Sequence, residues 1–292
     1  MATHPAAPRL RGHVEMLAGA MGEGILWTYG ALERAAEYIP PQLAASGYTP
    51  RRQTFELAKL PLSNVEALLE GTTHAAESIV VGAHYDTVVA CPGANDNATG
   101  VSAVLELAQR FSGRGQPRRF RFLTFVNEEP PFFQTAHMGS AVYANAARSR
   151  GDRVVGMLSL ETMGYYSEEK GSQRYPEAIA ALYPDVGNFI GFVSNLASVR
   201  LLLRARRAFR RRTAFPLQSA AVPAAIPGVG WSDHWAFWEA GYAAMMVTDT
   251  AQFRYPWYHT AEDTPDRIDY DRLAQVIDGL EGVIEAIAVP SR

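Results

Sequence analysis

With one cysteine, Cys91, in 292 residues, the chain can form no intrachain disulfide, and its fold must stand on its core. Long apolar runs are missing too: no window approaches the roughly 18 uninterrupted residues of a membrane span. The N-terminal run MATHPAAPRLRGHVEMLAGAMGEG lacks the charged region and continuous apolar stretch of a secretory signal. These absences lead us to expect a soluble, cytoplasmic protein. Neither sign of charge prevails, since 27 Lys and Arg against 30 Asp and Glu leave a net charge of −3. Global attraction to nucleic acid or anionic membrane is thereby excluded, and neither is expected as a partner. Internal repeats, low-complexity tracts and a convincing linker are also lacking. A hydrophobic content of 48% suffices for a large core, so we expect one domain over residues 1–292.

What is present is a succession of apolar strands and amphipathic helices. Leu32 to Ala45 has helical spacing, with Pro40 and Pro41 predicting a kink or break and Gly47 a stop. Arg52–Glu56 and Asn64–Leu69 read as edge strands, antiparallel, flanking a turn at Pro61. Ser78–Ala83 is a β-branched run for a buried strand that ends at His84. Asn97 to Phe111 places Val101, Val104, Leu105, Ala108 and Phe111 on one helical face, with Asp96 as N-cap. Phe120–Val126 is a second buried strand running into Asn127-Glu128-Glu129, His137–Arg148 a helix, and Val154–Leu160 a third strand ending at Glu161. The segment from about 165 to 230 is less regular and is expected to be inserted over the site like a lid. Within it Asn188–Ser194 reads as a strand and Leu196–Arg212 as a helix. Ala243–Thr248 is a late strand, Trp257–Asp266 a loop, and Asp271–Ile287 a closing helix. The alternation predicts an α/β three-layer sandwich, a central mixed, mostly parallel sheet with helices on both faces.

Three times an apolar strand runs directly into ionisable residues. In open parallel sheets ligands bind beyond the carboxyl ends of the strands, so the three ends should converge. Zinc takes imidazole nitrogen and carboxylate oxygen, and a catalytic zinc leaves one position for water. Two such ions sharing a carboxylate clamp both nucleophile and oxyanion of a hydrolysed amide, given about five ligands and one free carboxylate as base. The chain offers such a set.

The motifs HYD (84–86), GANDNATG (93–100), Glu128-Glu129, LETMGYY (160–166), SDHWAF (232–237) and YHTAEDTPD (258–266) follow one another in the order of a known family. From about Ser78 onward the chain resembles the di-zinc exopeptidases that include leucyl-type aminopeptidases and glutamate carboxypeptidases. The resemblance implies two zinc ions, one held by His84 and Glu161 and the other by Glu129 and His259, with Asp96 bridging. It implies Glu128 as general base and Asp86 as the carboxylate that hydrogen-bonds the far nitrogen of His84. The substrate it implies is a peptide or aminoacyl compound. Two departures stand out. The family's usual acid at Glu161 is the shorter Asp, and PPFFQTAHMGS (130–140) replaces a shorter Gly-rich turn, offering Phe132 and Phe133 to a specificity pocket.

Other residues read more plainly. Asp233 and His234 read either as groups that support the ligands or contact the substrate amine, or as structural hydrogen-bonding residues; Tyr255 and Tyr258 read as rim aromatics or oxyanion donors, and Cys91 as a bystander. Arginines 204, 206, 207, 210, 211 and 212 form a solvated face, with capture of an acidic partner as the lesser reading. The expected activity is removal of N-terminal residues from peptides. Carboxypeptidase or amino-acid deacylase action on the same site, single-zinc glutaminyl cyclase chemistry and a non-catalytic binding module are the alternatives; the sequence leaves the oligomeric state open.

Overall fold

The computed structural model describes residues 3–25 and 28–290. Its centre is an eight-stranded sheet formed by β1 (Arg51–Leu57), β2 (Leu60–Leu69), β3 (Gly71–His84), β4 (Gln116–Phe125), β5 (Arg153–Glu161), β6 (Ile190–Ser194), β7 (Leu217–Ala221) and β8 (Ala244–Thr248). The strand order is β1-β2-β4-β3-β5-β8-β6-β7. The central β4, β3, β5 and β8 are parallel neighbours, and β7 lies parallel to β6; antiparallel pairs join β1 to β2, β2 to β4 and β6 to β8. The sheet is therefore mixed and mostly parallel.

Side-chain alternation along the central strands assigns the two faces. Ile79, Val81, Phe120, Phe122, Leu158, Leu160, Met245 and Val247 belong to a large core with α1 (Ala7–Val14), α2 (Tyr29–Ala45), α3 (Thr99–Phe111), α5 (Val199–Arg212) and α7 (Tyr270–Ala288). The intervening Val80, Leu123, Phe125, Met157 and Ala244 pack under α4 (Gly139–Ser149) and α6 (His234–Glu239). A period of two on a strand buried on both faces gives this result, and it completes the three layers. No helix among the described residues is long and apolar enough to cross a membrane.

Several local expectations are revised. Pro40 and Pro41 lie inside α2 and do not break it. A proline at 40 leaves the Ala36 carbonyl without its helical donor, and the Arg52 guanidinium supplies one at 3.0 Å. Gly47, at φ 88°, does stop the helix, with the Tyr48 amide returning to the Leu43 carbonyl. The β1–β2 turn falls at Ala58 and Lys59, both at positive φ, while Pro61 is already in the strand opposite Glu56. Asp96 is not the cap of α3, which begins only at Thr99; the backbone at Asp96 is non-helical (φ −115°, ψ 87°). Asn97 takes the capping work, its Oδ1 accepting from Gly100 N at 3.0 Å. Within the segment 165–230, β6 and β7 extend the sheet and α5 packs against α7, which agrees with the strand and the helix expected at 188–194 and 196–212.

A candidate metal centre at the strand ends

The parallel register brings the carboxyl ends of three strands together. His84 ends β3 and pairs with Phe125, the last residue of β4; Glu128 and Glu129 follow that strand, and Glu161 ends β5. His84, Asp96, Glu128, Glu129 and Glu161 are all buried, while His259 is partly exposed.

The side chains form two sets around one carboxylate. His84 Nε2 lies 3.2 Å from Asp96 Oδ1 and 3.3 Å from Glu161 Oε2. His259 Nε2 lies 3.0 Å from Asp96 Oδ2 and 3.2 Å from Glu129 Oε1. These separations fit atoms aimed at a common point: tetrahedral ligands about 2.05 Å from zinc stand roughly 3.3 Å apart. His84 Nε2, His259 Nε2 and Asp96 Oδ1 are buried yet directed at no hydrogen-bond partner among the described residues. Buried polar atoms normally find partners, so convergent, unbonded nitrogen and oxygen donors fit a metal ion. Glu128 is set slightly back, with Oε2 4.0 Å from His84 Nε2.

The electrostatics describe the same crowding. Burial favours a neutral His84, but Glu161, Asp96 and Glu128 outweigh it and hold the imidazole well above its usual range. His259 is raised to about 10 because Asp96 and Glu129 overcome its burial. Burial drives Glu128 far up and Glu129 to about 8, with neighbouring carboxylates adding to each. Burial also acts to raise Asp96, yet the two imidazoles close to its oxygens outweigh it and hold it low. A site rich in uncompensated carboxylates attracts divalent cations.

Behind these groups, buried carboxylates fix the backbone. Asp86 accepts from Glu128 N and Glu129 N, each at 3.0 Å. Its carboxylate is 3.7 Å from His84 Nδ1, whereas its own backbone carbonyl lies 3.0 Å from that nitrogen. The expected carboxylate–imidazole bond is thus corrected: the turn after β3 brings the carbonyl nearer, and the carboxylate is spent on the two amides. Two further aspartates escaped the sequence reading. Asp249 accepts from Tyr165 N, Ala251 N and the Asn95 amide at 2.9–3.0 Å. Asp263 accepts from Asn95 N, Asp96 N and the Tyr255 hydroxyl. Asp249 had a visible signal, because it directly follows the apolar β8, much as Glu161 ends the apolar β5. Asp263 had none beyond its place in the YHTAEDTPD run.

The remaining candidates divide. Phe133 and Pro130 line the cavity that contains Asp96, Glu128, Glu129, Glu161 and His259, whereas Phe132 packs against the main core. The Tyr255 hydroxyl is engaged by Asp263 at 2.7 Å, while the Tyr258 ring stacks on His259 with centroids 3.8 Å apart. His234 is a buried structural group, its Nε2 2.8 Å from Val229 O, and burial lowers it to about 4. Asp233 is fully buried, which pushes its carboxyl up to about 7. Cys91 is buried with its sulfur 3.9 Å from Asp263 Oδ2, and burial raises its thiol. The arginine helix is only partly a solvated face: Arg204 reaches the Ala286 and Val289 carbonyls, and Arg212 reaches Glu281 at 3.3 Å.

A second, apolar cavity adjoins the first and shares Glu161, Trp231, Gln252 and Tyr258 with it. Its walls include Tyr175, Ile179, Phe192, Val193, Met246 and Phe253.

Known proteins match this arrangement. Residues 64–284 match the model of Peptidase family M28. The chain is 36% identical over 258 residues to the uncharacterized protein YfbL of Escherichia coli, covering 85% of this chain and 78% of YfbL. It is 29% identical over 210 residues to aminopeptidase YwaD of Bacillus subtilis, covering 68% of this chain but only 39% of YwaD. Among solved structures, a zinc aminopeptidase from Bacillus subtilis superposes with a TM-score of 0.77 at 17% identity, over 97% of this chain and 96% of that one. A glutaminyl cyclase from Fimbriiglobus ruber gives 0.70 at 20% identity, over 98% and 97%. With strand ends, donor set and family model in agreement, the chain belongs to peptidase family M28.

Proposed function

We propose that this M28-family metallopeptidase is an aminopeptidase that binds two zinc ions and removes N-terminal residues with large apolar side chains. The observation that carries the reading is the position of Asp96, whose two oxygens each face a different imidazole. One set would be His84, Asp96 and Glu161, the other Asp96, Glu129 and His259. The four carboxylates Asp96, Glu128, Glu129 and Glu161 carry four negative charges when ionised, and two divalent cations would balance them. Ser232 donates to Glu161 Oε2 at 2.7 Å, giving the longer acid a fixed orientation.

Zinc at these ligands supplies Lewis-acid polarisation of the scissile carbonyl and lowers the pKa of water. Glu128 takes the proton of the attacking water and returns it to the leaving amine; its carboxylate is set back beside the ligand groups, with Oε2 4.0 Å from His84 Nε2. Tyr258, stacked on His259 and lining both cavities, would donate its hydroxyl to the developing oxyanion. The apolar cavity beside Glu161 would take the side chain of the residue removed. Glu128→Gln should retain metal, measured by elemental analysis, and lose roughly 10²–10⁴-fold in kcat on aminoacyl amides. Full activity in that variant sinks the mechanism. One zinc per chain, with cyclisation of an N-terminal Gln peptide, would move the assignment to cyclase chemistry.

A further inference from the structure

Asp96 and His259 come from loops far apart in sequence, and neither loop is held by a packed core alone. His259 itself adopts a left-handed backbone, φ 59°, which a side chain other than glycine keeps only where its surroundings fix it. The turn leading to Asp96 starts at Gly93, φ 76°, where a Cβ would come within 2.3 Å of Thr87 Cγ2. Asp96 Oδ1 has no hydrogen-bond partner among the described residues, so no such bond steadies that side of its carboxylate. The course of its backbone must therefore do much of the aiming.

Asp263 joins the two loops. It is fully buried, four positions after His259, and receives donors from four directions. Its Oδ1 accepts from Asn95 N at 2.8 Å and from the Tyr255 hydroxyl at 2.7 Å. Its Oδ2 accepts from Asp96 N at 3.2 Å and faces the Cys91 thiol at 3.9 Å. The Asp263 backbone carbonyl also accepts from Ala94 N at 3.2 Å. Because every group around the carboxylate is a donor, only an acceptor on both oxygens satisfies them; an amide of the same shape sets N–H against N–H on one side.

We propose that Asp263 is a positioning residue that locks the Asp96 turn to the His259 loop and so presets the metal set Asp96, Glu129 and His259 before any ion arrives. The proposal rests on the metallopeptidase reading. It extends that reading to a residue that neither ligates metal nor touches substrate.

The test is zinc titration of chelator-stripped protein by calorimetry, with cobalt absorption spectra as a probe of ligand geometry. Asp263→Asn should weaken zinc binding at the Asp96, Glu129 and His259 set by roughly 10–100-fold and alter the cobalt spectrum. A merely structural role predicts a lower melting temperature of the metal-free protein with unchanged zinc affinity and cobalt spectrum, and that result overturns the proposal. Should Asp263→Asn fail to fold, Tyr255→Phe removes a single donor; a several-fold loss of zinc affinity is expected, and wild-type affinity overturns the proposal. Wild-type protein that takes up no zinc overturns both this proposal and the metallopeptidase reading. Tight wild-type binding with equal affinity in Asp263→Asn overturns the proposal alone.

Discussion

Two cavities meet at Glu161, Trp231, Gln252 and Tyr258, and the chain builds them from different parts of the sheet. The polar one stands on the ends of the parallel strands, where side chains are aimed by a rigid sheet and where Asp86 and Asp263 pin the backbone of the ligand loops. Contacts among its groups are directional and short. The apolar one is walled by residues drawn from 173–193, 218–229 and 246–253, a mixture of strands β6, β7 and β8 with irregular chain. Its walls meet through aromatic contacts such as the Tyr175–Tyr183 stack, 5.5 Å between centroids, and through scattered hydrogen bonds such as that from the Tyr183 hydroxyl to the Ser219 carbonyl at 3.1 Å. Chemistry requires fixed positions, whereas recognition of an apolar side chain requires mainly volume and dryness. The division of labour follows from that difference.

The comparison can be broken at either cavity. His234 supports the apolar wall by bonding the Val229 carbonyl, and its folded-state pKa is lowered to about 4 from an unfolded 6.5. Between those values the unfolded chain binds a proton that the folded chain refuses, so stability falls as pH drops from 6.5 to 4 and changes no further from this group below 4. The loss amounts to about 3 kcal/mol. In denaturant titrations at pH 7 and pH 4, His234→Gln should lack this share of the acid sensitivity; an unchanged pH dependence would contradict the assignment.

At the polar cavity, Asp86→Ala frees the amides of Glu128 and Glu129, and zinc affinity should fall roughly 10–100-fold by competition with a chromophoric chelator. Loss of activity with wild-type zinc affinity would instead limit Asp86 to the base. The smallest effect is expected from filling the apolar cavity. Val193→Trp, on β6 opposite Met246, should cut kcat/KM for large apolar N-terminal residues about ten-fold while sparing alanine. A uniform change across an aminoacyl amide panel would show that the cavity does not receive that side chain.

Much of the polar cavity was legible because it obeys a linear rule: a buried apolar strand followed by an ionisable residue. His84, Glu128, Glu129 and Glu161 satisfy it, and Asp249 after β8 satisfies it equally, although it was passed over. The apolar cavity had no such rule. Phe132 and Phe133 are adjacent and chemically alike, yet only Phe133 lines the metal cavity while Phe132 packs against the core, a choice made by the backbone course after Pro130 and Pro131. The short elements β7 and α6 were likewise missed: LQSAA is mostly half-buried and lacks the apolar run that marks β8, and the six residues of α6 span less than two helical turns.

Patterns of residue type along the chain were enough to determine the three layers, the family and most of the polar side chains that meet at the strand ends, because burial on both faces restricts residue type position by position and an ionisable residue directly after an apolar run stands out. Only the tertiary structure decided that Asp96 leaves the capping of α3 to Asn97, that the Asp86 carboxylate holds two amides rather than an imidazole, and that Asp263 ties together loops separated by more than 160 residues. The physical reason is common to all three. A carboxylate has several lone pairs and accepts from whichever donors the fold brings within about 3 Å, and sequence fixes the acceptor without fixing its donors.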